Sequence, residues 1–261
     1  MKFAILAVLL AAAPAAFAQG VPGAAYDPAL DRKRYEGCVR AIPTDAAKAD
    51  QFALEWQGMG GGLPARHCQA LAQLHLKQFA AAASTLVKAA QLAEAQKSPF
   101  AADFWGQAGN AALLAGDIKG AIGHFTTAIT QAGEFAPRRT ADLLIDRARA
   151  NTELNNIPAA RADIDRALTL NRDDPIVWML SAALARRENN MARASHEISR
   201  ASTLAPSDPD IMFEQGNIAA ATADLETARK VWAMTVRAAP GTPAAELAAK
   251  ALAAAQPDPA Q

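Results

Sequence analysis

Over its C-terminal third the chain says the same thing twice. Asp174-Pro175-Ile176-Val177-Trp178 through Pro206 is followed by Asp208-Pro209-Asp210-Ile211-Met212 through Pro240. The same offset of 34 residues takes Pro175 to Pro209 to Pro243, Ala182 to Gly216, Ala194 to Ala228, Ile198 to Trp232 and Pro206 to Pro240. A fixed period of this length constrains the fold strongly. One such unit cannot bury a hydrophobic face alone, so successive units must stack and share an elongated core. Alanine is abundant and β-branched residues are sparse, which favours helix over strand. The expected class is therefore all-α, with almost no β-structure.

Looser copies precede the two strict ones. Trp105, Gly109, Gly116, Ala121, Phe125 and Ala128 recur at matching positions, as do Leu144, Ala148, Ile157, Ala160, Ile164 and Ala167, with Asn155-Asn156 at a turn. Phe79, Ala82, Leu86 and Ala89 fit the second helix of a still earlier unit. Upstream, Asp27-Pro28 and Pro43-Thr44-Asp45 read as helix starts, and Gly58-Met59-Gly60-Gly61-Gly62 as the turn that ends them. Thr242-Pro243 to about Ala255 starts like another repeat and stops, the way such arrays cover their last apolar face.

These residues resemble the tetratricopeptide repeat family from Ala65 to Pro240, with the three C-terminal units most convincing. Arg66 and Gln69 depart from the family pattern, standing where it has Trp and Leu. The resemblance implies a right-handed superhelical solenoid of antiparallel helix pairs, the first helix of each pair lining a concave groove. One solenoid over 28–255 is expected, with irregular helices at 28–62, units at about 65–95, 102–132, 141–174, 175–208 and 209–242, and a C-terminal capping helix at 243–255.

The first eighteen residues differ from the rest. Lys2 supplies a positive start, Phe3 to Ala16 is apolar, and Ala16-Phe17-Ala18 has the form of a cleavage site. A signal peptide at 1–18, cut after Ala18, is expected to send a bacterial protein to the periplasm. A linker over 19–27 and a disordered tail over 256–261 complete the reading. No later stretch reaches the roughly 18 apolar residues of a membrane span.

The formal charge is zero, with 26 Lys and Arg against 26 Asp and Glu and no basic run, so no nucleic-acid footprint is present. No cofactor motif appears either. The glycines of 58–62 lead into Leu63-Pro64-Ala65 rather than the Gly-Lys-Ser or Gly-Lys-Thr that a phosphate loop requires. His67 and Cys68 lie seven or eight residues from His75, roughly 10 to 12 Å along one helix, too far to share a metal ion. Neither catalytic residues nor metal ligands are assigned. His124 and His196 read as surface or half-buried side chains.

Cys38 and Cys68 are the two cysteines of the chain, 30 residues apart. An exported protein meets oxidising conditions, and a spacing near one repeat sets neighbouring first helices side by side, so a disulfide is expected. The family register further implies which side chains face the groove: Asn110, Arg149 and Asn217 at equivalent positions, Arg186 and Arg187 one turn on, and Leu113, Asp142, Ile145, Met179 and Phe213 beside them. Asn can pair with a peptide amide and Arg with a carboxylate. The same arginines also have Asp142, Asp146 and Glu153 to pair with as solvated helix residues.

The function implied is that of a scaffold or adaptor holding a protein or peptide partner in its groove, without catalysis. An oligomerising accessory of cell-envelope assembly or cell-wall synthesis is the alternative, and an enzyme or small-ligand carrier a remote one.

Overall fold

Thr44 and Asp45 turn the chain back on itself within its first helical stretch. Asp45 leaves the helical region (φ −154°, ψ 76°), its Oδ1 accepts from the Lys48 amide at 3.1 Å, and Thr44 Oγ1 donates to the Ala41 carbonyl. The helix α1 (Pro28–Gly58) is thus two arms that meet again where Trp56 Nε1 donates to Asp31 Oδ1 at 3.2 Å. A computed structural model describes residues 28–133 and 136–255. The expected signal peptide, linker and tail lie outside the described residues.

Eleven more helices follow: α2 (Gly62–His75), α3 (Phe79–Ala95), α4 (Ala101–Leu114), α5 (Ile118–Ala132), α6 (Pro137–Glu153), α7 (Ile157–Leu170), α8 (Pro175–Arg187), α9 (Met191–Leu204), α10 (Pro209–Ala221), α11 (Leu225–Ala238) and α12 (Pro243–Ala254). Each packs mainly on its neighbours in chain order, and no strand occurs among the described residues. The architecture is a right-handed solenoid of antiparallel helix pairs of the tetratricopeptide type, opening with the α1 hairpin and closed by α12.

Local chemistry sets the helix ends. Asp174 and Asp208 cap α8 and α10, accepting from Ile176 N and from Asp210 and Ile211 N, while Pro175 and Pro209 follow where no amide is needed. Every turn from a first to a second helix uses one device. Lys77, Gly116, Asn155, Asn189 and Ala223 stand at equivalent points with positive φ. The next amide reaches back five residues, as in Asp117 N to Ala112 O at 2.9 Å and Asp224 N to Ala219 O at 3.0 Å. That next residue then caps the second helix through its side chain at Asp117, Asn190 and Asp224.

The core repeats with the same regularity. Each second helix buries an alanine, a large residue four positions on, and a small one three further: Ala82, Leu86 and Ala89; Ala121, Phe125 and Ala128; Ala160, Ile164 and Ala167; Ala194, Ile198 and Ala201; Ala228, Trp232 and Thr235. Sixteen residues before each large residue, the first helix carries a matched small one. Aliphatic Leu86, Ile164 and Ile198 are matched by Ala70, Ala148 and Ala182, each within the same core cluster as its partner. The rings of Phe125 and Trp232 are matched by Gly109 and Gly216, where an added methyl would collide with the ring. Small residues therefore set how closely paired helices approach, in proportion to the bulk they face.

Polar side chains tie the helices together both within and between units. Arg147 makes a two-pointed ion pair with Asp163 at 2.6 and 2.9 Å. Arg161 reaches from α7 to Ser181 Oγ at 2.9 Å and Glu188 at 2.7 Å on α8, and Arg193 of α9 pairs with Asp165 and Glu197.

Candidate functional site

First helices line the inner face of a superhelix of this kind, and side chains on them bridge from unit to unit in three groups. The first group spans α1, α2 and α4. His67 Nδ1 lies 2.8 Å from the Tyr35 hydroxyl and its Nε2 lies 3.0 Å from Gln107 Oε1. Since an amide oxygen only accepts, Nε2 carries the proton and Nδ1 accepts from the phenol. The imidazole also stacks on Tyr35, with centroids 5.8 Å apart, and meets the edge of Phe104 at 5.4 Å. Burial pushes its pKa below the ordinary value, against the opposing effect of the Gln107 bond, and burial likewise raises the Tyr35 phenol.

This group forms one wall of an open cavity of about 800 Å³. Leu63, Pro64, Phe100 and Phe104 supply apolar surface, and Gln107, Asp103 and Arg32 supply polar groups. The floor passes the turn at 60–62, where Gly60 and Gly62 adopt φ of +89° and +54° and Gly61 lies against the Trp56 indole. The glycine-rich stretch is thus an inter-helix turn that also lines the cavity.

In the second group, on α4 and α6, Asn110 Nδ2 donates to Asp146 at 3.4 Å and Arg149 pairs with the same carboxylate at 3.1 Å. Burial raises the pKa of Asp146, partly offset by Arg149 and Asn110. Asp142 is exposed, and its pKa is raised by burial and then by the charges of Asp174 and Asp146. Ile145 is buried and Leu113 half-buried. A smaller cavity of about 310 Å³ opens between α6 and α8, lined by Ile145, Arg149, Leu180 and Arg187 among others.

The third group joins α8 to α10. Arg186 forms a two-pointed pair with Glu214 at 2.7 and 3.1 Å, Asn217 donates to Glu214 at 3.0 Å, and Trp232 Nε1 donates to Asn217 Oδ1 at 3.2 Å. Met179 packs beside the core around Ile198, and Phe213 beside the one around Trp232. The structure therefore sets Asn110 and Arg149 on the carboxylate of Asp146, one turn along α6 from Asp142, and Arg186 and Asn217 on that of Glu214. It also leaves Arg149 and Arg186 already paired with carboxylates of this chain, while Arg187 is exposed.

Cys38 and Cys68 are joined by a disulfide between the first arm of α1 and α2, with Cα atoms 6.3 Å apart. Among the described residues no group of three or more His, Cys, Asp or Glu is placed to hold a metal ion, and no helix is long and apolar enough to cross a membrane. His124 is half-buried and stacks on Trp105 at 5.5 Å.

The large cavity was not legible from the repeat pattern. Its residues occupy positions the shared pattern does not specify, and Tyr35 comes from the hairpin that precedes the recognisable units. One signal was present: Phe100, at the N-cap of α4, and Phe104 and Gln107 on that helix follow one another at helical spacing.

No family model matches the chain, and no curated protein sequence matches it. Solved structures do resemble it. BtubC from P. vanneervenii aligns with a TM-score of 0.61 at 13% identity, covering 88% of this chain and 94% of that one. PilF from Pseudomonas aeruginosa aligns at 0.60 and 14% identity, covering 84% and 99%. YrrB, described as a TPR protein with an unusual peptide-binding site, aligns at 0.51 and 19% identity, covering 71% and 91%. At these identities the likeness is one of fold.

Proposed function

We propose that this chain is an exported, non-catalytic scaffold that holds an extended segment of a partner protein along the inner face of its first helices. The observation that carries the reading is the inner face itself. Its first helices are bridged by polar side chains, yet two cavities of about 800 and 310 Å³ stay open on it, so it offers apolar pockets and hydrogen-bonding groups in one row. Tetratricopeptide-type architecture gives such a face length and curvature suited to a peptide, and the description of YrrB as peptide-binding supports the analogy.

Export to the periplasm is part of the proposal. It is supported by the Lys2, apolar and Ala16-Phe17-Ala18 sequence of the first eighteen residues. A Cys38–Cys68 disulfide also suits an oxidising compartment. The intact mass of protein recovered from periplasm should correspond to a chain beginning at Gln19; a mass retaining residues 1–18 would contradict export with cleavage.

The binding reading is tested with Asn110→Ala combined with Arg149→Glu, both exposed positions. Partner capture from periplasmic extract should fall while the helical circular-dichroism signal is kept. Capture equal to that of the unchanged protein would move the binding surface elsewhere.

A further inference from the structure

The 800 Å³ cavity at the N-terminal end of the inner face has a chemistry of its own. Three kinds of group bound it. Phe100 stands at it with 57% of its surface exposed, and Phe104, Leu63 and Pro64 continue the apolar wall. Gln107 uses its amide oxygen on His67, and its amide nitrogen has no partner among the described residues, which leaves two N–H donors at the cavity.

The charges are not equivalent. Both carboxylates at the cavity are engaged: Asp31 with Arg34 at 3.2 Å and with the Trp56 indole, Asp103 with Arg139 at 3.0 Å. The Arg32 guanidinium makes no ion pair or side-chain hydrogen bond among the described residues. A ligand carrying one negative charge therefore finds an unopposed cation here, and a cationic ligand finds both acids already neutralised.

We propose that this cavity binds a peptide segment in which an aromatic side chain lies within two residues of an Asp or Glu. The ring covers Phe100 and packs against Phe104 and Tyr35, the acid meets Arg32, and Gln107 donates to a peptide carbonyl. A volume of about 800 Å³ exceeds one side chain and suits a segment of two or three residues. The Tyr35–His67–Gln107 chain fixes the wall in advance, so little ordering accompanies binding. The proposal rests on the scaffold reading and adds where the partner is anchored and by what chemistry.

Selection of a phage-displayed random heptapeptide library on the full processed chain tests it. Enriched sequences should pair Phe, Tyr or Trp with a nearby Asp or Glu. A labelled enriched peptide should bind about tenfold or more weakly to Arg32→Glu and more weakly to Gln107→Ala, with helicity and the disulfide retained. Arg32→Glu should in turn favour versions of the peptide with Lys in place of the acid. Failure to enrich any sequence, enrichment of basic sequences, or equal binding to Arg32→Glu overturns the proposal. So does binding that weakens as protein concentration rises, since a second copy of the chain would then be the occupant. If the cavity fails while photo-crosslinks at Asp142 or Arg187 still capture a partner, the scaffold reading stands and the anchor is lost.

Discussion

Gly216 of α10 lies flat against the indole of Trp232 on α11, so close that a methyl group at Gly216 would overlap Trp232 Nε1 and Cδ1. The ring cannot easily give way. It is buried to 5% exposure and held by its bond to Asn217. Gly216→Ala should therefore lower stability by about 1 to 2 kcal/mol, overpacking outweighing the gain in helix propensity. Combined with Trp232→Ile, which recreates the Ala182 and Ile198 pairing, the double variant should be more stable than the two single losses predict. A coupling of about 1 to 2 kcal/mol in a urea-denaturation cycle would establish the size-matching rule; additive losses would refute it.

Ala223 occupies the left-handed turn position with φ of +63°, where the equivalent residue of an earlier unit is Gly116. An L side chain is strained there. Ala223→Gly should raise stability by about 0.5 to 1 kcal/mol, and thermal unfolding would show it as a higher Tm. The same substitution at Ala220, inside α10, should lower it.

The unequal legibility of the chain has a physical reason. The period of 34 residues reports packing, because every unit must place a small residue opposite a large one and start its helices in the same way. Asp174, Asp208, Gly216 and Trp232 were thus readable from spacing alone. The α1 hairpin follows no such period: Pro43-Thr44-Asp45 marked the start of its second arm, but how the two arms meet depends on Trp56 reaching Asp31, a contact between distant residues that local spacing does not announce. Groove register named Arg186 but could not give its charge state, since whether Arg186 is free depends on Glu214 two helices away. The His67 cavity combines three helices, and only the stripe on α4 leaves a trace in sequence.

Cys38 and Cys68 join the hairpin to α2 across 30 residues, with both sulfurs buried. By the chain-entropy estimate the closed loop contributes roughly 3 to 4 kcal/mol. Reduction should therefore loosen this end first. Hydrogen exchange under reducing conditions should rise across 28–75 while α8–α11 keep their protection; uniform loss of protection would show that the array unfolds as one unit instead.

His67 and His124 both have pKa values lowered from 6.5, chiefly by burial. For a base depressed in the fold, the unfolded chain takes up the proton first. Stability is thus complete above pH 6.5 and falls as pH drops from there toward the folded values. Asp142 and Asp146, raised from 3.8, act with the opposite sign: their contribution is present below pH 3.8 and is lost as pH rises through their folded values. Between pH 7.5 and about 5.5 the urea midpoint should fall, and fall less in the variant carrying His67→Gln and His124→Gln. An identical slope in that variant would remove the histidines from the account.

The inner face as binding surface is tested most directly by site-specific photo-crosslinking in the periplasm. A benzophenone side chain is placed at exposed inner positions Asn110, Asp142 and Arg187, and at exposed positions Thr130 and Arg200 on the second helices α5 and α9. Adducts of one discrete mass from the inner set, and none from the outer set, are the predicted result. Adducts from Thr130 and Arg200 with none from Asn110, Asp142 or Arg187 would contradict it.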